Sequence, residues 1–179
     1  MVLILLKHSK LVLYEIVIEA VGVDQIIREV KASDESELLS IRNQPENYKW
    51  FFHQSTISTE EHATWFRLRL SESSQPTLVV EQEGSVVGVG YLSKSKSNTT
   101  TVSISIQPKW VGNGLGTKLL KELITRAKSL GLDSIFAEIK STNDKSVQFF
   151  TKNGFTKVSV EIRSFGNSEI EVVTLSITL

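Results

Sequence analysis

The stretch Val102-Ser-Ile-Ser-Ile-Gln-Pro-Lys-Trp-Val-Gly-Asn-Gly-Leu-Gly-Thr117 sets three glycines, Gly112, Gly114 and Gly116, between a β-branched run and an amphipathic one. Glycines at such a junction let the backbone bend tightly. They also let a ligand approach N–H groups that point outward with the positive end of a helix dipole. A phosphate is the anion such a turn suits. Gly116-Thr117-Lys118 does not have the Gly-Lys-Ser/Thr order of a Walker A loop. Thr117 stands where a dinucleotide fingerprint needs its third glycine, so that reading fails by one residue. A second chemical stretch follows downstream, Asn143-Asp-Lys-Ser146-Val-Gln-Phe149-Phe150-Thr-Lys-Asn-Gly154-Phe155.

Composition narrows the chemistry. The 179 residues contain no cysteine, which excludes disulfides, zinc–thiolate sites and cysteine nucleophiles. Three histidines without HxxxH or HExxH spacing point to no metal site. Lys+Arg and Asp+Glu number 20 each, whereas a domain bound to nucleic-acid phosphates normally carries a basic excess. The opening apolar run Met1–Leu6 is cut short by Lys7, His8 and Lys10, far below the roughly 20 residues of a membrane helix. These features predict a soluble cytoplasmic protein with no nucleic-acid or membrane partner.

The elements that must position the two stretches can be read from periodicity. Ile26–Lys31 alternates like a strand, and Asp34-x-x-Glu37 fits a capping box opening a helix that Asn43-Gln44-Pro45 ends. Ser58-Thr-Glu-Glu61 is a second capping box, and behind it His62, Trp65, Phe66 and Arg69 share one helical face. Strands are predicted at Thr77–Glu81, Val86–Leu92, Thr101–Ile106, Ser134–Ile139, Lys157–Arg163 and Glu169–Ile177. A long amphipathic helix should start after the glycine turn and stop at Gly131, and a second should run from Asn143 to Asn153. The order ββ–α–β–α–ββ around a central sheet indicates an α/β (α+β) fold. Residues 1–25 read as an N-terminal extension to a domain spanning 26–179. Within it, Leu11–Ala20 suits strand and helix equally. An added strand, a homodimer contact or a remnant of an upstream domain are the roles open to it.

The two stretches together resemble the GCN5-related N-acetyltransferase (GNAT) family. Its marks are a Gln/Arg-x-x-Gly-x-Gly/Ala loop and a later Asn-x-x-Ala/Ser-x-x-Phe/Tyr-Tyr-x-x-x-Gly-Phe helix. The match runs from about Ile26 to about Arg163. The resemblance implies a single domain with a mixed, mostly antiparallel sheet, splayed where acetyl-CoA binds. It implies that the main-chain amides of Val111, Gly112, Asn113, Gly114, Leu115 and Gly116, with Thr117 at the helix start, hold the pyrophosphate. The pantetheine arm would lie along Ile104, Ser105 and Ile106 as an added strand. Asn143 would hydrogen-bond it, Phe149 and Phe150 would line it, and Lys145 is a candidate phosphate contact. Two positions depart from the pattern. Val111 replaces the usual Gln or Arg, and Phe150 replaces a tyrosine that in the family often protonates the departing thiolate.

Without a cysteine, the route left is direct attack of a primary amine on the bound thioester. The amine must lose a proton, and Glu138, alternating with Phe136 and Lys140 on its strand, is the first candidate to take it through water. Tyr91, at the end of the Gly88-Val-Gly90 strand, is the second. An amide of Ile104–Ile106 would meet the oxyanion. Arg42-Asn43, Trp50-Phe51-Phe52 and Ile57-Ser58-x-Glu-Glu61-His62-x-x-Trp65 resemble one branch of the family. That branch acetylates a nucleotide-linked amino sugar in pseudaminic acid biosynthesis and is similar to ribosomal-protein alanine acetyltransferases. On this reading Phe51, Phe52 and Trp65 offer apolar faces to sugar and base, while Arg42, His62 and Lys94 meet a diphosphate or uracil. Three alternatives stay open: a protein N-terminus as acceptor, another small amine such as a polyamine, and an acyl-CoA-binding module without turnover.

Overall fold

A computed structural model describes residues 25–94 and 97–179; the expectations for the extension up to Asp24 lie outside the described residues. Seven strands form one sheet in the order β1-β2-β3-β4-β5-β7-β6. They are β1 (Gln25–Glu29), β2 (Thr77–Gln82), β3 (Ser85–Lys94), β4 (Thr99–Ile106), β5 (Ser134–Lys140), β6 (Thr156–Phe165) and β7 (Ser168–Thr178). Every neighbouring pair is antiparallel except β4 and β5. The four longer helices are α1 (Glu35–Arg42), α2 (Thr59–Ser71), α3 (Leu115–Ser129) and α4 (Asp144–Lys152). The mixed, mostly antiparallel sheet between helices is the architecture expected from the sequence. No helix among the described residues is long and apolar enough to cross a membrane.

Alternation along the strands feeds two cores. On one face Leu78, Val80, Val102, Ile135 and Leu175 pack with Leu119, Leu120 and Leu123 of α3 and Phe150 and Phe155 around α4. On the other, Val79, Val86 and Val89 meet Leu38 and Ile41 of α1 and Phe66 of α2. Strand β2 is therefore apolar on both sides, and its Leu78-Val-Val80 run is fully buried. Helix α3 lies so close to β3 that a Cβ at Gly90 would stand 2.8 Å from Leu123 Cδ1 and 3.0 Å from Leu119. Glycine at that position sets the depth at which the helix seats.

The two capping boxes fare differently. Ser58 Oγ accepts from the Glu61 N–H at 3.2 Å, and Glu61 Oε2 accepts from the Ser58 N–H at 2.8 Å, as the sequence predicts. The Asp34-x-x-Glu37 box is not formed. Asp34, buried, instead accepts from Arg28 Nη1 at 2.7 Å, Arg28 Nη2 at 2.9 Å and the Lys31 N–H at 2.7 Å. Glu37 accepts from the Val86 N–H at 3.0 Å. A forked guanidinium is a stronger partner for a buried carboxylate than a helix N–H, so the long-range partner displaces the local one. Arg28 Nε also donates to Glu81 at 2.7 Å, which ties β1, β2 and the start of α1 together.

Candidate active site

Strand β4 stays paired with β3 as far as Ile106, and β5 with β7 as far as Lys140. Between β4 and β5 the ladder covers only Thr99–Thr101 against Ser134–Phe136. Beyond that point the two strands part, and Val102–Ile106 keep a strand neighbour on one side only. The splay opens toward the glycine turn. Gln107 fixes the turn's start, its N–H donating to Val87 O at 2.8 Å and its Nε2 to Val86 O at 3.0 Å. Gly112 and Gly114 then take φ values of +95° and +76°, and α3 begins at Leu115. Gly114 has no side chain to cap the helix, so the first-turn amides of α3 face outward without a side-chain acceptor. A Cβ built on Gly112 or Gly114 would meet no atom within 4 Å. The space over the turn is open to a ligand.

Helix α4 closes the other side. Asn143 caps it, its Oδ1 accepting from the Ser146 N–H at 3.2 Å. The Phe149 ring lies 3.3 Å from the position of a Cβ on Gly116, so it brackets the turn, while Phe150 is buried against Phe149 and Phe155 with ring centroids 5.0 Å apart.

On the opposite sheet face lies a cavity of about 140 Å³, lined by Leu38, Arg42, Phe51, Ile57, His62, Trp65, Val89, Tyr91 and Ser105. Strand alternation explains the last three. Val89 pairs with Ser105 and Tyr91 with Ser103, so these side chains share a face, whereas Ile104 and Ile106 turn toward α3. The Arg42 guanidinium stands 4.0 Å over the Phe51 ring and donates to Ser55 O at 3.3 Å and His53 O at 3.4 Å; burial lowers its pKa. His62 is only 2% exposed, with ring centroids 5.3 Å from Trp65 and 5.7 Å from Phe66. Neither of its ring nitrogens has a hydrogen-bond partner among the described residues. Burial pushes its pKa below the usual histidine value, Glu35 opposing and Arg42 adding to the effect.

The acetyltransferase (GNAT) domain family matches residues 25–156. The chain belongs to the GNAT acetyltransferase family. Among its relatives, the L-amino acid N-acyltransferase MnaT of Escherichia coli is 30% identical over 109 residues, 58% of this chain and 63% of that protein. The match thus spans less than two thirds of this relative's length. The ribosomal protein bS18 alanine N-acetyltransferase of Haemophilus influenzae is 26% identical over 136 residues, 75% of this chain and 84% of that one. In three dimensions the chain is similar to yncA of Salmonella typhimurium, solved with its cofactor acetyl-CoA. The TM-score is 0.76 at 24% identity, over 87% of this chain and 94% of the other.

Within this GNAT domain the expected residues divide among several places. Arg42, Phe51, His62, Trp65 and Tyr91 do come together, and Ser105 joins them from β4. Phe52 and Lys94, expected beside them, are not in this lining. Phe52 stacks on Phe165 of β6 at 4.5 Å and lines a second depression with His53, Gln54 and Ser55. Lys94 is exposed at the end of β3, and its N–H donates to Gln75 Oε1 at 3.1 Å. Glu138 lies on the cavity's sheet face but outside the cavity lining, and its Oε1 accepts from Arg163 Nη1 at 2.8 Å. That bond, with a second to Glu161, raises the pKa of Arg163. Two cations to which the sequence assigns no site role support the cavity. Arg69, on the His62 face of α2 as its spacing predicts, stands 4.5 Å over the Tyr91 ring and donates to Leu92 O at 2.7 Å and Ser93 Oγ at 2.6 Å. Lys140 is buried and donates to Lys49 O at 2.9 Å, anchoring the aromatic segment to the sheet. A lysine ending a strand carries no signal of burial.

Proposed function

We propose that this chain transfers the acetyl group of acetyl-CoA directly to a primary amine on a small molecule. The observation that carries the reading is the gap between β4 and β5, which the glycine turn meets at its mouth and the cavity reaches at Ser105 from the opposite face. The residues present fit the co-substrate. The exposed edge of β4 at Ile104–Ile106 has backbone groups for an extended, amide-bearing arm, and the open space over Gly112 and Gly114 leaves their amides free for a diphosphate. When bound, acetyl-CoA supplies an activated acyl group with a good leaving group. The chain's part is to hold it beside the cavity, orient the amine and accept charge on the β4 amides. Phe149 brackets the turn, while Phe150 has no hydroxyl with which to protonate a thiolate.

The finer question is the acceptor. A cavity of about 140 Å³ takes the amine-bearing end of a small molecule. A nucleotide-linked amino sugar, the acceptor expected from the sequence, would place only its sugar there, against Phe51 and Trp65 with Arg42 beside it. MnaT, named for L-amino acids, supports a free small amine instead. The deciding experiment is acetyl-CoA-dependent thiol release with amino acids and their analogues, UDP- and CMP-linked amino sugars, N-terminal peptides and polyamines. The protein has no cysteine, so its own background in a thiol assay is zero. Release with any small amine supports transfer and names the acceptor. Release with peptides alone moves the acceptor to a protein N-terminus. Binding of acetyl-CoA with no release across the panel overturns the transferase reading in favour of a binding module.

A further inference from the structure

The geometry points to His62 as the group that takes the proton from the acceptor's ammonium inside the cavity, in place of a strand carboxylate. This rests on the acetyltransferase reading above. Three independent observations carry it. First, His62 is 2% exposed and lines the cavity, yet both its ring nitrogens are buried without a partner among the described residues. Buried polar groups in folded proteins are normally hydrogen-bonded, so an imidazole left this way is suited to a partner that arrives with the ligand. Second, the ring is held in place by Trp65 and Phe66, which fixes its edge without using its nitrogens. Third, Glu138 stands outside the lining with Arg163 on its carboxylate.

The charged and titratable groups around the ring are Glu35 and Arg42 on α1 and Tyr91 on β3. Of the side-chain types lining the cavity, histidine alone ordinarily changes charge between about pH 5 and 8. Its buried ring favours the neutral form, in which one nitrogen is a lone-pair acceptor and the other a donor. The step then balances. R–NH3+ gives one proton to His62, and the neutral nitrogen attacks the acetyl carbonyl carbon, forming the C–N bond. The C–S bond breaks with its electron pair leaving on sulfur. The nitrogen's second proton ends on that thiolate, and the imidazolium returns its proton to solvent.

The test compares wild type with His62→Gln and His62→Asn, which keep a polar planar group but cannot titrate. Melting and acetyl-CoA affinity serve as controls for the fold and the other site. For an amine that turns over, wild-type kcat/KM should show an acid limb below the usual histidine value, on the side to which burial moves His62, and both variants should lack it. The variants should lose about 100-fold at neutral pH and recover as rising pH deprotonates the amine unaided. Variants that keep the wild-type rate and pH profile overturn the proposal. A second readout needs no turnover. In the wild-type protein with CoA bound, titrating n-butylamine should shift the ring-nitrogen NMR resonances of His62 and leave the other two histidines unmoved. No shift at His62 overturns the proposal even if every amine tested fails as a substrate. Failure of the wild-type protein to bind acetyl-CoA would instead overturn the reading on which it rests.

Discussion

Replacing Gly112 and Gly114 together by alanine separates the two things the turn does. At φ values of +95° and +76° an L-residue is strained, by about 1 kcal/mol at each position. No atom lies within 4 Å of either new Cβ, so no steric term adds to this. The pair should lower the stability of the ligand-free protein by about 2 kcal/mol, or about 4–8 °C in Tm for a chain of this size. The methyl groups, however, stand in the space over the amides where the diphosphate is proposed to lie. Losing one charge-assisted hydrogen bond to phosphate costs about 1.5–3 kcal/mol, ten- to a hundredfold in affinity. The assay is thermal melting with and without ligand, with calorimetric titration for Kd. Acetyl-CoA at about a hundred times its Kd should raise the wild-type Tm by about 5–11 °C. About half to five-sixths of that rise should vanish in the variant at the same ligand concentration. Acetyl-pantetheine, which lacks the diphosphate, should bind both proteins equally. A variant that melts earlier but binds acetyl-CoA with wild-type affinity would refute the phosphate role of the turn.

Other perturbations test the scaffold. Ser58→Ala removes the cap of α2 and should cost about 1 kcal/mol in urea denaturation, with m unchanged. Asp34→Asn leaves Arg28 with Glu81 alone at a site where the aspartate side chain is 3% exposed, and should cost about 3 kcal/mol. Burial pushes Asp34 up, but Arg28 and the Lys31 N–H together outweigh it and hold its pKa below the usual carboxylate value. A depressed folded pKa contributes stability that is full above the unfolded value of about 3.9 and is lost as pH falls through the folded one. Acid titration of stability should therefore be shallower in Asp34→Asn than in wild type. Gly90→Ala drives a methyl into Leu119 and Leu123 and should cost about 1–3 kcal/mol by chemical denaturation.

Strand and helix identity follow from local periodicity, and so most of the fold was legible. The run from Thr101 to Ile106 and the helix after Gly114 appear almost where alternation and glycine place them. What local pattern cannot carry is a partner distant in sequence. Asp34 and Glu37 have capping-box spacing, but Arg28 and Val86 reach them first. Phe51 and Phe52 are adjacent and alike in composition, yet only one faces the cavity, because no periodicity in that segment assigns their directions. Lys94 and Lys140 both end strands. One is exposed and the other buried against Lys49 O, a difference set by which segment packs over the strand.

The topology itself explains why the site forms where it does. Two adjacent parallel strands cannot be joined by a hairpin, so β4 and β5 require a crossover, and α3 is that crossover. The amino end of α3 must therefore sit at the carboxyl end of β4, where its free amides favour an anion. The same strands part beyond Thr101 and Phe136, which frees the edge of β4 beside those amides. Alternation along β4 then sends Ile104 and Ile106 into the α3 core and Ser105 toward the cavity under α1 and α2. A ligand laid along that edge touches the anion site at one end and opens onto the cavity at Ser105. In the proposed transfer the acyl group and the amine approach one strand from different sides, with His62 on the side of the cavity.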